Sequence, residues 1–115
     1  MNDECVFCAI VAGDIPADIV AESDDWVAFR DLNPQAPTHV LIIPREHLAT
    51  LNDLGAERRD LAGELLLAAR AVASREGLAD DGYRVVANTH ARAGQSVFHL
   101  HLHVLGGRTM RWPPG

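Results

Sequence analysis

Residues 96–108 read SVFHLHLHVLGGR and place His99, His101 and His103 at every second position. Half of the chain's six histidines therefore fall within five residues. In an extended strand alternate side chains share a face, so the three imidazoles are predicted to form a row, each roughly 6.5 Å from the next. Leu100, Leu102 and Val104 then face the other way, into a core. A polar face that only needs to stay wet is served by Thr, Ser or Arg, so three imidazoles point to chemistry. One such chemistry is metal ligation, because imidazole is a common ligand and a His-x-His pair on a strand can chelate. The other is covalent catalysis, with one histidine as nucleophile and its neighbours orienting it and holding charge. The spacing alone does not choose between them. Gly94, Gln95 and Ser96 precede the row in a loop whose N–H groups and hydroxyl can meet an anion. Gly106 and Gly107 follow it and let another segment approach closely.

The elements that must position this row are legible in outline. Val6, Phe7, Ile10 and Val11 have helical spacing, and Gly13 stops that helix. IVAES and WVAFRDL read as two short strands across a turn at residues 23–25, and HVLIIP as a buried strand ending at Pro44. EHLATL reads as a short helical piece. A long helix is predicted over about residues 55 to 76, with Leu61, Leu65, Ala69 and Val72 as its apolar stripe and Gly77 as its stop. YRVVAN and FHLHLHVLGG are the last two strands. Five strands in hairpin order with one long helix predict an α+β fold with an antiparallel sheet.

The 115 residues, 48% of them hydrophobic, suit one domain spanning 1–115 with one core. No apolar run approaches the roughly 20 residues of a membrane span. The start, MNDECVFC, has acidic residues and no basic ones, unlike a secretory signal, and the expected location is cytoplasmic. Net charge is −6 and all ten basic residues are Arg. The lack of Lys excludes a P-loop lysine and a lysine Schiff base. The acidic balance opposes a nucleic-acid surface but permits a small phosphate ligand in a local pocket.

With these residues in view, the chain resembles the histidine triad family. HLHLHV matches the family's His-x-His-x-His pattern with apolar x. DLNPQAPTHVLIIPREH and the ending GGRTMRWPPG look like its Hint branch, the nucleoside phosphoramidases, and the resemblance runs from about Cys5 to Gly115. It implies a HIT-type fold with a short N-terminal helix. It also implies hydrolysis of purine nucleoside 5′-phosphoramidates, such as AMP or GMP conjugates, through a nucleotidyl-histidine intermediate and without a catalytic metal. His101 would be the nucleophile, its other ring nitrogen donating to a backbone carbonyl. His103 would hold phosphate oxygens, Ser96 would help protonate the leaving amine, and His39 would support the nucleophile. Gln95 would line the phosphate site and Asn88 the sugar–phosphate region. Asp31 would accept the ribose hydroxyls, and Phe7, Ile10, Phe29 and Leu32 would form the base pocket. Trp112 belongs to a tail, residues 106–115, that the resemblance directs toward the partner of a homodimer, with the long helix and YRVVAN at the interface. Alternatives are a dinucleoside polyphosphate hydrolase, a nucleotide-binding regulatory protein, and a metalloenzyme using all three triad histidines.

Cys5-x-x-Cys8 has three readings. A disulfide is disfavoured in a reducing compartment, and a thioredoxin-type pair follows a strand in a βαβ unit that this pattern lacks. Structural zinc needs two further ligands for a closed tetrahedral site. His47 and His99, which carry no catalytic task above, are the candidates, and the resemblance supports them, because some bacterial superfamily members use this kind of set. Reduced cysteines without a metal remain the alternative.

Overall fold

A computed structural model describes residues 4–115; Met1–Asp3, the start of the stretch unlike a secretory signal, lie outside the described residues. Helix α1 (Val6–Ala12) is followed by strands β1 (Ile19–Glu22), β2 (Trp26–Arg30) and β3 (Thr38–Pro44). Helix α2 (Arg59–Arg75) and strands β4 (Tyr83–Val86) and β5 (Leu102–Gly106) complete the fold. The strands form one antiparallel sheet in the order β1-β2-β3-β5-β4. This is the α+β architecture expected from the sequence.

β3 is the central strand, and six of its seven residues are buried. Such a strand reads as a continuous apolar run because both its faces are covered. Val40 and Ile42 face α2, whose Leu65, Ala68, Ala69, Val72 and Ala73 form one buried stripe against the sheet. Leu41 and Ile43 face the other way, onto Cys5, Phe7, Val27 and Phe29. The sheet thus separates a helix-covered core from a second, smaller core beneath α1. At the end of α2 the Arg30 guanidinium forks onto Glu76, with N···O distances of 2.7 and 3.2 Å, and ties the helix to β2.

Several boundaries differ from the sequence reading. EHLATL is irregular, because its side chains serve tertiary contacts: Leu48 is buried, His47 turns toward Cys8, and Thr50 caps a 3-10 turn at Leu51–Asp53. α2 begins at Arg59 because Ala56–Arg58 first makes another 3-10 turn. The final strand begins only at Leu102. Ahead of it the chain leaves the ladder, and the Leu100 N–H donates to the Leu48 carbonyl at 2.6 Å. β2 also stops early, where the Asp31 carboxylate accepts the Asn33 N–H at 2.8 Å in a tight turn.

The close approach read from Gly106 and Gly107 is present. A β-carbon on Gly106 would sit 2.6 Å from a Leu78 methyl, and one on Gly107, whose φ is +91°, would sit 2.9 Å from the Pro37 ring. Ile42 is fully buried between β3's neighbours and α2. Its truncation, Ile42→Ala, is expected to cost about 2–5 kcal/mol of stability. Urea unfolding checks this, and a loss below about 1 kcal/mol would mean that α2 does not close over this position.

Candidate active site and metal centre

Backbone groups fix the proton on His101 and His39 directly, and on His103 through His39. The His99 carbonyl lies 2.8 Å from His101 Nδ1. A carbonyl only accepts, so Nδ1 carries the proton and Nε2 keeps its lone pair. The Gln35 N–H donates to His39 Nδ1 at 3.0 Å, so the proton of neutral His39 sits on Nε2. That Nε2 lies 2.8 Å from His103 Nδ1, which must therefore accept, and His103 in turn carries its proton on Nε2. His39 Nε2 also lies 3.4 Å from an Asp31 carboxylate oxygen. The pair register explains the His39–His103 contact. His39 opposes Leu105 and Leu41 opposes His103, so the two rings are diagonal neighbours on one face of β3 and β5. His39 thus supports His103 rather than the nucleophile candidate His101. The rings of His101 and His103 are 4.9 Å apart, closer than the flat-strand spacing, because His101 precedes the ladder.

His101 and His103 open onto a cavity of about 290 Å³ between α1 and the sheet. Phe7, Ile10, Phe29, Asp31, Leu32 and Ser96, all singled out from the sequence, line it. Phe7 and Phe29 meet edge to face at 5.4 Å. Leu32 is at the rim and 98% exposed. The sequence reading missed Val6, Ile15, Pro16, Ala17, Arg30, Leu41 and Val97. The apolar ones carry no chemistry that a sequence could single out, and the Arg30 guanidinium is engaged by Glu76. His103 Nε2 is the one buried side-chain N or O atom among the described residues with no hydrogen-bond partner. An orphaned donor beside a cavity is suited to a ligand's oxygen.

Other candidates fall elsewhere. The Gln95 side chain is occupied by backbone: its oxygen accepts the His90 N–H, and its amide donates to the Ala49 and Val97 carbonyls. It braces the loop before the triad and does not line the cavity, because a buried amide must satisfy its own polar atoms. Asn88 is half-buried and also outside the lining. Trp112 is 82% exposed.

A second cluster lies behind the first. Cys5 Sγ is 3.3 Å from His99 Nδ1, and Cys8 Sγ is 3.2 Å from His47 Nδ1 and 3.5 Å from His99 Nδ1. The two Nδ1 atoms are 3.2 Å apart. No disulfide joins the cysteines. Bonds of about 2.3 Å to sulfur and 2.0–2.1 Å to nitrogen give tetrahedral edges of about 3.3–3.8 Å, close to these separations. His99 Nε2 donates to the Pro44 carbonyl at 2.8 Å, so its Nδ1 presents a lone pair to the cluster. The donor set fits zinc.

Asp31, His39 and His103 also come close enough to hold an ion. Their protons argue otherwise. Ligation through His39 Nε2 would require moving its proton to Nδ1, where the Gln35 N–H already points. The backbone therefore prepares one cluster for a cation and the other for hydrogen bonding.

Comparison with known proteins agrees with this geometry. The HIT domain profile matches residues 12–110, and the chain belongs to that family. Its class is that of an enzyme, a hydrolase of the histidine triad type. The crystal structure of a HIT family hydrolase from Legionella pneumophila superposes with a TM-score of 0.95 at 51% identity, covering 97% of this chain and 100% of that one. A purine nucleoside phosphoramidase of Escherichia coli is 46% identical over 110 residues, 96% of this chain and 92% of its own. A 14 kDa zinc-binding protein of Zea mays is 49% identical over 112 residues, 96% and 87% of the two chains.

Burial, together with the neighbouring His101 and His39 rings, lowers the His103 pKa from 6.5 to about 4. Burial also lowers His39 and His99. Between the two His103 values the unfolded chain takes up a proton that the folded chain refuses, so stability rises with pH across this window. The urea midpoint is expected to fall as pH drops from about 7 to about 5, and to fall less in His103→Asn. An equal fall in the variant would assign the proton to another site.

Proposed function

We propose that the protein hydrolyses purine nucleoside 5′-phosphoramidates by covalent histidine catalysis. The observation that carries this reading is the hydrogen bond from His101 Nδ1 to the His99 carbonyl, which leaves the His101 Nε2 lone pair available as a nucleophile at the cavity. Neutral imidazole attacks well near neutral pH. In the first step Nε2 bonds to the α-phosphorus and the phosphorus–nitrogen bond breaks. The Ser96 hydroxyl, at the cavity edge, gives its proton to the departing amine. The orphaned His103 Nε2–H meets a phosphate oxygen, and His39 holds His103 in that tautomer. Water then attacks phosphorus, returns a proton to the site and releases the nucleoside monophosphate and His101. The Phe7 and Phe29 rings with Ile10 and Leu32 form the base pocket, and Asp31 accepts the ribose hydroxyls. The named activity of the Escherichia coli relative supports the substrate class.

Zinc held by Cys5, Cys8, His47 and His99 is structural in this reading, and the reaction needs no second metal. Bound there, the ion cross-links three segments of the chain. The thiolate pair suits a reducing cytoplasm, and no described helix is long and apolar enough to cross a membrane.

A homodimer completes the reading. β4 is an edge strand with Tyr83 and Val85 exposed, and Leu66 and Leu67 of α2 are more than half exposed beside it. Such a face is suited to a second copy. The tail with Trp112 then reaches the partner's cavity. Val85→Glu is expected to convert a dimer to a monomer in sedimentation, and a wild-type monomer would rule out the interface.

The decisive assay compares wild type with His101→Ala on an adenosine 5′-phosphoramidate bearing a fluorescent amine. Turnover is expected to fall by several orders of magnitude, about the scale of losing a nucleophile. Folded wild-type protein that binds AMP but does not turn over would instead indicate a nucleotide-binding regulatory role.

A further inference from the structure

His99 is the residue through which the two clusters touch. Its ring Nδ1 belongs to the Cys5–Cys8–His47 corner, and its ring Nε2 donates to the Pro44 carbonyl. Its backbone carbonyl accepts the proton of His101 Nδ1. The residue is fully buried, so its ring and its carbonyl cannot be reoriented separately without disturbing the packing around both. The segment that carries it lacks ladder support, because β5 begins at Leu102. The nucleophile candidate therefore stands one residue outside the sheet, and its aim depends on what holds His99.

A second connection runs through Phe7. It lies between Cys5 and Cys8 in the sequence, in the loop and first turn where the Cys5 sulfur accepts the Cys8 N–H at 3.3 Å. Its ring meets His99 edge-on at 5.9 Å and His101 edge-on at 5.3 Å. A shift of either cysteine moves the ring that packs against the nucleophile. Both connections join the same corner to the same imidazole.

We propose that Cys5, Cys8 and His47 are positioning residues for the reaction: by fixing His99 through a bound metal ion, they hold the carbonyl and the Phe7 ring that set the tautomer and aim of His101. This rests on the corner being a metal centre. A cross-link with only a structural role would change stability and leave the folded enzyme's turnover alone. The coupled arrangement instead makes metal loading adjust kcat most, and nucleotide affinity to a smaller degree through the Phe7 ring, which also lines the base pocket, while Phe29, Leu32 and Asp31 keep their contacts.

The test uses the full chain in zinc-loaded, cadmium-loaded and chelator-stripped forms, with cobalt as a reporter. Cobalt must give a thiolate charge-transfer band that Cys8→Ser weakens; its absence overturns the metal-centre reading itself, and with it the coupling. Turnover, AMP affinity and the ring nitrogen signals of His101 in long-range 15N–1H spectra are then compared. Stripping is expected to lower kcat by about 10- to 100-fold, the usual scale for losing supporting contacts or misplacing a reacting group. AMP affinity should fall less than kcat, because Phe7 is one of several rings and side chains around the base, and the His101 signals should move from a single Nδ1–H tautomer toward a mixture. Cadmium, with longer bonds to sulfur, should fall between, and returning zinc should restore all three readings. A clear thiolate band with kcat and His101 signals unchanged across the three forms would overturn the coupling and leave the metal site intact. Should the stripped chain unfold, the cadmium form and His47→Cys decide: both are expected to remain folded with shifted His101 signals and lower kcat, and unchanged values in both would overturn the proposal.

Discussion

The hydrogen bond between His101 Nδ1 and the His99 carbonyl is the constraint on which the rest of the site depends. An imidazole offers two nitrogens, and only a fixed donor on one makes the other a dependable nucleophile. The same device recurs at each neighbour. The Pro44 carbonyl sets His99, the Gln35 N–H sets His39, and His39 sets His103. Four rings within one small region thus receive distinct roles, three directly from the main chain and His103 through His39. No carboxylate is needed to assign them, although Asp31 stands close enough to bias His39.

The sheet keeps this polar arrangement from costing the fold its core. α2 covers one face with a closely packed apolar stripe, and that face contains no part of the site. The imidazoles lie on the opposite side with Phe7, Phe29, Leu41 and Ile43 around them. Burial lowers the pKa of His39, His99 and His103, since a charge in that setting loses its hydration without a full partner. The chemistry is gathered on the less completely covered side, where a cavity can remain.

Much of this was readable from residue types and spacing. The alternating histidines, the Cys-x-x-Cys pair and the apolar stripe of α2 each follow a simple rule of side-chain periodicity or ligand count. The union of His47 and His99 with the cysteines was legible because a pair of thiolates lacks two ligands. What escaped were features set by the main chain's departures from regularity. Nothing in HLHLHV says that the ladder begins only at Leu102, since the break depends on where Leu48 and Pro44 present their carbonyls. Gln95 looked like a phosphate contact because it adjoins the triad, yet its amide is consumed by three backbone groups. The pairing of His39 with His103 is a consequence of strand register, which a single sequence does not specify.

β3 serves both clusters at once. His39 stands near its start, against His103, and the Pro44 carbonyl at its end holds His99. Four residues of extended chain lie between them, five steps and about 17 Å at the rise of a strand. The strand is therefore a ruler between two centres. Lengthening or shortening it by one residue would reverse the faces of every side chain beyond the change and put one centre out of step with the other. A change of length is therefore absorbed more readily in the loops and tail, while this segment can be exchanged only as a unit of unchanged length.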